Sequence, residues 1–353
     1  MKLISIRRSK KILLVTILLL LVIAAAMAAA HRKPTPILKI YVWQGYADAA
    51  VIAPFESECQ CYVSVHYMNT SDDLYKAIKQ GDDYDVISAS SDIAGDLVRA
   101  GLVQPLTINL IDSQSQLIDP LGEKSEVKNE EDIYGVPFMW GANVLIYNSD
   151  AFPQAPKTWD VLRQQRFRGK VAVWDDLSSL YMAELSQNRQ ADIYHLNDFK
   201  DGCQWFQGLT TNGVKLWDDE TNLVKMFRTG QVVVAMGWPL TAYDLKSLGM
   251  PVEQIIPEQD NTTGWVDYLM IPERSKHTDL AYKLVKHLSD KRAQGYVARI
   301  THTIPANNQA DSGGLTMPER EKYKNVRFWQ ALGENREKYK KAWEQWKRNQ
   351  CPI

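Results

Sequence analysis

From residue 37 onward, short apolar runs alternate with amphipathic stretches. ILKIYVW (37–43), YDVISAS (84–90), NVLIYN (143–148), KVAVWD (170–175) and QVVVAMGW (231–238) are rich in β-branched and aromatic residues. Runs of this length and composition predict strands. Between them the spacing becomes helical. Ser71 precedes Asp72 and Asp73 as a helix cap, with acidic residues in the first turn. Ala281, Leu284, Val285 and Leu288 mark the apolar stripe of a helix beginning at Thr278. Strand–helix alternation predicts an α/β fold built on parallel sheets covered by helices on both faces. A chain of 353 residues suits two domains.

The first 30 residues break the pattern. Arg7, Arg8, Lys10 and Lys11 precede an apolar run from Ile12 to Ala30, whose end, Ala28-Ala29-Ala30, offers a small-residue cleavage site. This is the pattern of a signal peptide, or of an uncleaved N-terminal anchor. Either way the remainder is expected outside the cytoplasm. The formal net charge is −1, and the segment holds five cationic and no acidic residues, so the chain without it carries −6. An acidic exported chain is a poor partner for nucleic acid and a fair one for small cations.

In open α/β sheets, ligands sit beyond the carboxyl ends of the strands. There this chain places Trp43 (followed by Gly45 and Tyr46), then Ser88, Ser90 and Ser91, then Trp174, Asp175 and Asp176, and finally Trp238. In TTGWVDYLMIP (262–272), Trp265 and Asp267 fall two apart on a strand and so share one face. Aromatic walls with a few carboxylates make a box for an organic cation, because ring faces attract ammonium groups and carboxylates fix their N–H donors. Asp176 and Asp267 are the leading carboxylates.

Catalysis finds little support. The sequence has no nucleophile elbow, phosphate-binding glycine loop or zinc-protease helix motif, and its six His form no ligand-like cluster. The two Asp residues as a hydrolytic acid/base pair are the enzymatic alternative. CQCYVSVH (59–66) lacks the second half of any zinc spacing, so no metal is expected. The four cysteines, Cys59, Cys61, Cys203 and Cys351, suit disulfides in an oxidising compartment. Their pairing is open, although Cys59 and Cys61 stand too close to bridge each other easily.

Seven segments occur in an ordered series: VWQGYAD, YDVISASSDIAGDLVRAGLVQPL, YGVPFMWGANVLIYN, TWDVLRQQRFRGKVAVWDD, VVVAMGW, WVDYLMIPERSKHTDLAYKLVKHL and FWQ. Together the chain resembles the spermidine/putrescine-binding periplasmic proteins of ABC transporters, from about residue 37 onward. The resemblance implies a type II periplasmic binding fold, two α/β lobes with a ligand cleft between them. Lobe one would hold 37–141 and 264–305, lobe two 142–263, and a helical tail, 306–353, would pack on lobe one. It implies a periplasmic protein without catalysis or cofactor, with a polyamine-like cation as ligand and an inner-membrane ABC permease as partner. A sensor subunit reporting to a membrane receptor, or a binder of another amine, is the alternative.

Position by position, the resemblance carries ligand contact to Trp43, Tyr46, Ser91, Asp176, Trp238, Trp265, Asp267 and Gln330. Departures fall at Ser179 and Thr241, where the resemblance implies acidic residues, at Ala89 and Ser91, where it implies a Ser and an aromatic residue, and at His302, where a Tyr is expected. The box keeps its walls but loses acidic groups, which leaves the far end of the ligand undefined.

Overall fold

The computed structural model describes residues 35–351 apart from 112, 130–131, 188–191, 194–195, 197–198, 258–259 and 312–325. The N-terminal segment 1–30 and part of the tail therefore lie outside the described residues. Among the described residues, no helix is long and apolar enough to cross a membrane.

The strands in chain order are β1 (Ile37–Val42), β2 (Tyr62–Tyr67), β3 (Val86–Ser90), β4 (Lys128–Asn129), β5 (Asp132–Ile133), β6 (Gly135–Ala142), β7 (Val144–Asn148), β8 (Val171–Trp174), β9 (Lys215–Trp217), β10 (Val234–Gly237), β11 (Val252–Ile255), β12 (Thr262–Met270), β13 (Ile304–Pro305) and β14 (Val326–Phe328). They build a seven-stranded sheet, β13-β6-β12-β3-β1-β2 with β14 against β12, and a five-stranded sheet, β11-β7-β10-β8-β9; β4 and β5 pair only with each other. All five expected strands are present, each within three residues of its expected limits. The helix expected at Thr278 spans Thr278–Ser289. The helix expected to be capped by Ser71 is capped instead by Thr70, whose side chain accepts from Asp73 N, and Ser71 is its first residue.

The sheets are mixed rather than parallel. β1 runs parallel to β2 and β3, but β12 is antiparallel to both β3 and β6. In the second sheet β7 is antiparallel to β10 and β11. The cause is the crossing of the chain between the two bodies. β6 leaves the first sheet at Ala142 and β7 enters the second at Val144, with only Asn143 between them. β12 returns alongside, and Asn143 is buried against it. Asn143 N donates to Thr263 O (2.8 Å), Asn143 Nδ2 to Thr263 Oγ1 (2.7 Å), and Thr262 Oγ1 to Asn143 O (2.8 Å). The tail makes a third crossing, with Trp329 N donating to Gly264 O at 2.8 Å. Every residue of β12 is buried, which explains why its apolar run is nearly continuous.

The tail departs from expectation. β14 joins the first sheet, but helix Arg336–Lys347 buries Tyr339, Ala342, Trp343 and Trp346 in the core of the five-stranded body. Its apolar stripe has helical spacing, and the surface it matches is that of helices Leu177–Gln187 and Lys200–Thr211. Trp343 Nε1 and Lys347 Nζ both donate to Asp175 Oδ1 at 2.9 Å. Only a charged edge reaches the first body: Arg336 pairs with Asp72 (2.6 Å) and Asp92 (3.1 Å).

Cys203 and Cys351 form a disulfide that ties the chain end to this second body, and Cys59 bridges Cys61. The second bridge contradicts the spacing argument. Gln60 adopts a left-handed conformation (φ 52°) at the end of helix Ala49–Cys59, and the Cα atoms of the two cysteines stand only 5.2 Å apart.

The Cys203–Cys351 bridge spans 148 positions and Cys59–Cys61 two. Loop-closure entropy grows with the logarithm of loop length, so the long bridge is worth up to about 5 kcal/mol and the short one much less. Replacing Cys203 and Cys351 by Ala is expected to lower the unfolding free energy by about 2–5 kcal/mol in urea titrations. Replacing Cys59 and Cys61 should cost clearly less, and equal losses would contradict this ranking.

Candidate ligand-binding cleft

A cleft of about 830 Å³ opens between the two sheets, walled by Trp43, Tyr46, Ser90, Trp265 and Asp267 on one side and by Trp174, Glu220, Trp238 and Asp244 on the other. β12 positions its floor. With a strand period of two, Trp265 and Asp267 face the cleft while Val266 and Tyr268 join the core behind the sheet. A β-bulge against β6 falls between Asp267 and Tyr268. Opposite Trp265 stands Gly141, where an added Cβ would lie 2.7 Å from the indole, so only glycine lets that ring lie flat on β6.

Asp267 is 1% exposed, yet its carboxylate is met by donors. Tyr46 Oη donates to Oδ2 at 2.5 Å and Ser90 Oγ donates to Oδ1. Gly45, in the left-handed region (φ 85°), turns the chain after β1 so that Tyr46 folds back beneath the cleft. Trp43 Nε1 donates to Ser90 Oγ at 3.0 Å, which locks that hydroxyl in place. Burial pushes the Asp267 carboxyl up to about 7, opposed by the Ser90 and Tyr46 hydrogen bonds and assisted by the negative charge of Asp92. The Tyr46 hydroxyl is raised by the same burial and by Asp267.

Five indoles line the cleft and touch in series across both sheets. Trp43 meets Trp238 edge-on at 6.3 Å between ring centroids, Trp238 meets Trp174 at 4.8 Å, Trp174 meets Trp329 at 6.2 Å, and Trp329 meets Trp265 at 6.0 Å. Among the described residues, five carboxyl side chains also line it, from Asp48, Asp219, Glu220, Asp244 and Asp267, and no Lys, Arg or His does.

Of the eight residues expected at the site, Trp43, Tyr46, Trp238, Trp265 and Asp267 line the cleft; Ser91, Asp176 and Gln330 do not. Ser91 begins helix Ser91–Arg99, and its hydroxyl accepts from Val266 N at 3.3 Å. Its neighbour Ser90, still on β3, takes the cleft position. Asp176 turns back to its own chain and accepts from Ser178 N at 2.9 Å, at the start of helix Leu177–Gln187. There burial raises its carboxyl to about 7, with Asp92 and Asp72 adding to the rise against the pull of Arg336. Gln330 is half-buried beside Trp329, which holds the wall. Ser179, at one expected acidic position, donates to Trp174 O at 2.5 Å. Glu220 and Asp244 escaped sequence reasoning altogether. They lie on helices Glu220–Arg228 and Pro239–Ser247, where acidic residues look like ordinary surface. Among the described residues, no His/Cys/Asp/Glu group has the arrangement of a metal site.

Two α/β bodies joined by three crossings, with a cleft between them, define a two-lobed binding protein of the periplasmic type. The chain belongs to the bacterial extracellular solute-binding proteins, whose family model matches residues 50–326. It is 22% identical over 263 residues to the spermidine/putrescine-binding periplasmic protein of Escherichia coli K12, covering 73% of this chain and 74% of that protein. It is 25% identical over 273 residues to a putrescine/cadaverine-binding protein of Pseudomonas aeruginosa, covering 72% and 75%. A lipoprotein of Treponema pallidum shares the fold at a TM-score of 0.77 and 18% identity, over 89% of this chain and 99% of that one.

Because Asp267 binds its proton more tightly folded than unfolded, its share of stability is full below the unfolded carboxyl value of about 3.9. That share is lost as pH rises through about 7. Thermal melts of the ligand-free protein and of Asp267→Asn across pH 4–8 should show a steeper decline for the wild type. Parallel profiles would contradict the raised carboxyl.

Proposed function

We propose that this protein captures an organic cation outside the cytoplasmic membrane and delivers it to an ABC importer, with polyamines of the putrescine–spermidine type as the ligand class. The observation that carries this reading is the lining of the cleft: among the described residues, five indoles and five carboxyl groups without one basic side chain. Ring faces stabilise an ammonium group by about 0.5–2 kcal/mol each. In a site this enclosed, a carboxylate adds a charge-assisted hydrogen bond. Among the described residues, no cationic side chain lines the cleft to receive an anionic ligand. The names of the matched relatives point the same way.

In this reading Asp267 receives an ammonium group, Trp265 and Trp43 flank it, and Tyr46 and Ser90 hold the carboxylate in place. Trp238 and Trp174 cover the ligand from the opposite lobe. A ligand touching both walls favours the closed arrangement of the lobes, with the crossing at Asn143 and Thr262–Thr263 as the axis.

A thermal-shift screen of putrescine, cadaverine, spermidine, amino acids and betaines tests the ligand class. An amine at a hundred times its Kd should stabilise by about 2.7 kcal/mol, and the absence of a shift with any amine would end the polyamine reading. By calorimetry, Trp265→Ala and Asp267→Asn should each weaken amine binding more than about tenfold, since losing an aromatic wall or a charge partner costs 1–3 kcal/mol or more. Cation binding needs the ionised carboxyl. Affinity should therefore fall as pH drops through about 7, approaching tenfold per unit for one proton displaced. An affinity constant from pH 8 to 5.5 would contradict Asp267 as the receiving group.

A further inference from the structure

Two helices of the second lobe hold hydroxyls at Ser179 and Thr241. Yet the cleft wall of that lobe is not without charge. Glu220 is the first residue of helix Glu220–Arg228, and Asp244 lies on helix Pro239–Ser247, one turn beyond Thr241 on the same helix face. The two helices pack together, and both side chains line the cleft on the lobe opposite Asp267.

Glu220 gains from the helix dipole at its first-turn position, and Asp244 has no such support. The cap of helix Glu220–Arg228 is already supplied by Asp219, whose carboxylate accepts from Asn222 N at 2.8 Å. Glu220 Oε1 is buried and accepts no hydrogen bond among the described residues. Thr241, fully buried on the neighbouring helix, has its hydroxyl beside the Glu220 carboxyl and no further partner among the described residues. Asp244 sits in the second half of its helix, where the helix dipole disfavours an anion. Among the described residues, no Lys, Arg or His lines the cleft to compensate them. His302 stacks on Tyr243 at 3.9 Å close to Asp244; its burial holds it toward the neutral form against the pull of that carboxyl. Burial and the neighbouring Asp244 push the Glu220 carboxyl up to about 7, and burial raises Asp244 as well. A buried acceptor, a buried hydroxyl and two facing carboxyl groups without a cation describe a place for N–H donors carrying positive charge.

We propose that Glu220 and Asp244, with Thr241 between them, are the second cation-recognising end of the cleft, so that the ligand is an organic dication held at Asp267 by one end and at this pair by the other. This rests on the amine reading of the cleft given above. It moves the second acidic end from helix Leu177–Gln187 to helices Glu220–Arg228 and Pro239–Ser247, and makes these two residues determinants of specificity. A diamine and an amine with a guanidinium end share the required chemistry; the pair of carboxyl groups suits either.

The test compares 1,4-diaminobutane with 1-aminobutane by calorimetry on the wild type, Glu220→Gln, Asp244→Asn and the double variant. The wild type is expected to bind the diamine at least a hundredfold more tightly than the monoamine. The double variant should lose at least tenfold for the diamine and stay within about twofold for the monoamine. Its ligand-free melting temperature should equal or exceed the wild-type value, because two desolvated, mutually repelling groups have been removed, whereas a merely structural role would lower it. A double variant that keeps the full diamine preference overturns the proposal. So does a wild type that binds both amines equally, an outcome that needs no variant to fold and leaves the amine reading intact. Binding of neither amine overturns both.

Discussion

One buried carboxyl group organises the cleft. Asp267 is shut off from bulk water, and a group so placed must find donors inside the protein or be too costly to keep. The chain provides them from two other elements: Tyr46 from the turn after β1, and Ser90 from the last position of β3. Each donor is itself constrained, Tyr46 by the left-handed Gly45 and Ser90 by the Trp43 indole. The ends of β1 and β3 are thereby drawn to the middle of β12. The aromatic wall follows, because Trp43 and Trp265 are the neighbours in sequence of the groups that must converge there.

The second constraint is the economy of the crossing. A single residue, Asn143, separates the last strand of one sheet from the first strand of the other, and all three of its hydrogen bonds run to Thr262 or Thr263 on the returning strand. The two sheets are thus joined here by a short, hydrogen-bonded crossing rather than by a linker. The indoles that meet across the cleft are Trp43 from one side and Trp238 from the other.

Much of this was legible before any coordinates. Strand runs were short and apolar, and the period of two alone placed Trp265 and Asp267 on one face. What failed, failed for identifiable reasons. Asp176 can satisfy itself within its own chain by capping Ser178 N, a competition that residue type does not reveal. Ser90 and Ser91 differ only in which side of a strand–helix junction they occupy, and one residue of phase decides which hydroxyl enters the cleft. The tail was legible as an amphipathic helix, but amphipathicity says that a stripe is buried and not against what. Glu220 and Asp244 carried no local signal, because only the packing of two helices brings them together at the wall. Expecting parallel sheets erred because strands that cross between lobes and return must run antiparallel to their neighbours.

The position of β12 in the chain has a consequence for how the molecule is made. Strands of the five-stranded sheet all fall within residues 144–255, so that sheet is complete in the nascent chain before residue 262 emerges. The seven-stranded sheet has no such independence. β3, ending at Ser90, and β6, ending at Ala142, are separated by the place that β12 fills, and stay unjoined until the final third of the chain is synthesised. The sheet that begins first therefore finishes last. Its two halves wait with open strand edges, the state in which a polypeptide is most prone to pair with the wrong neighbour.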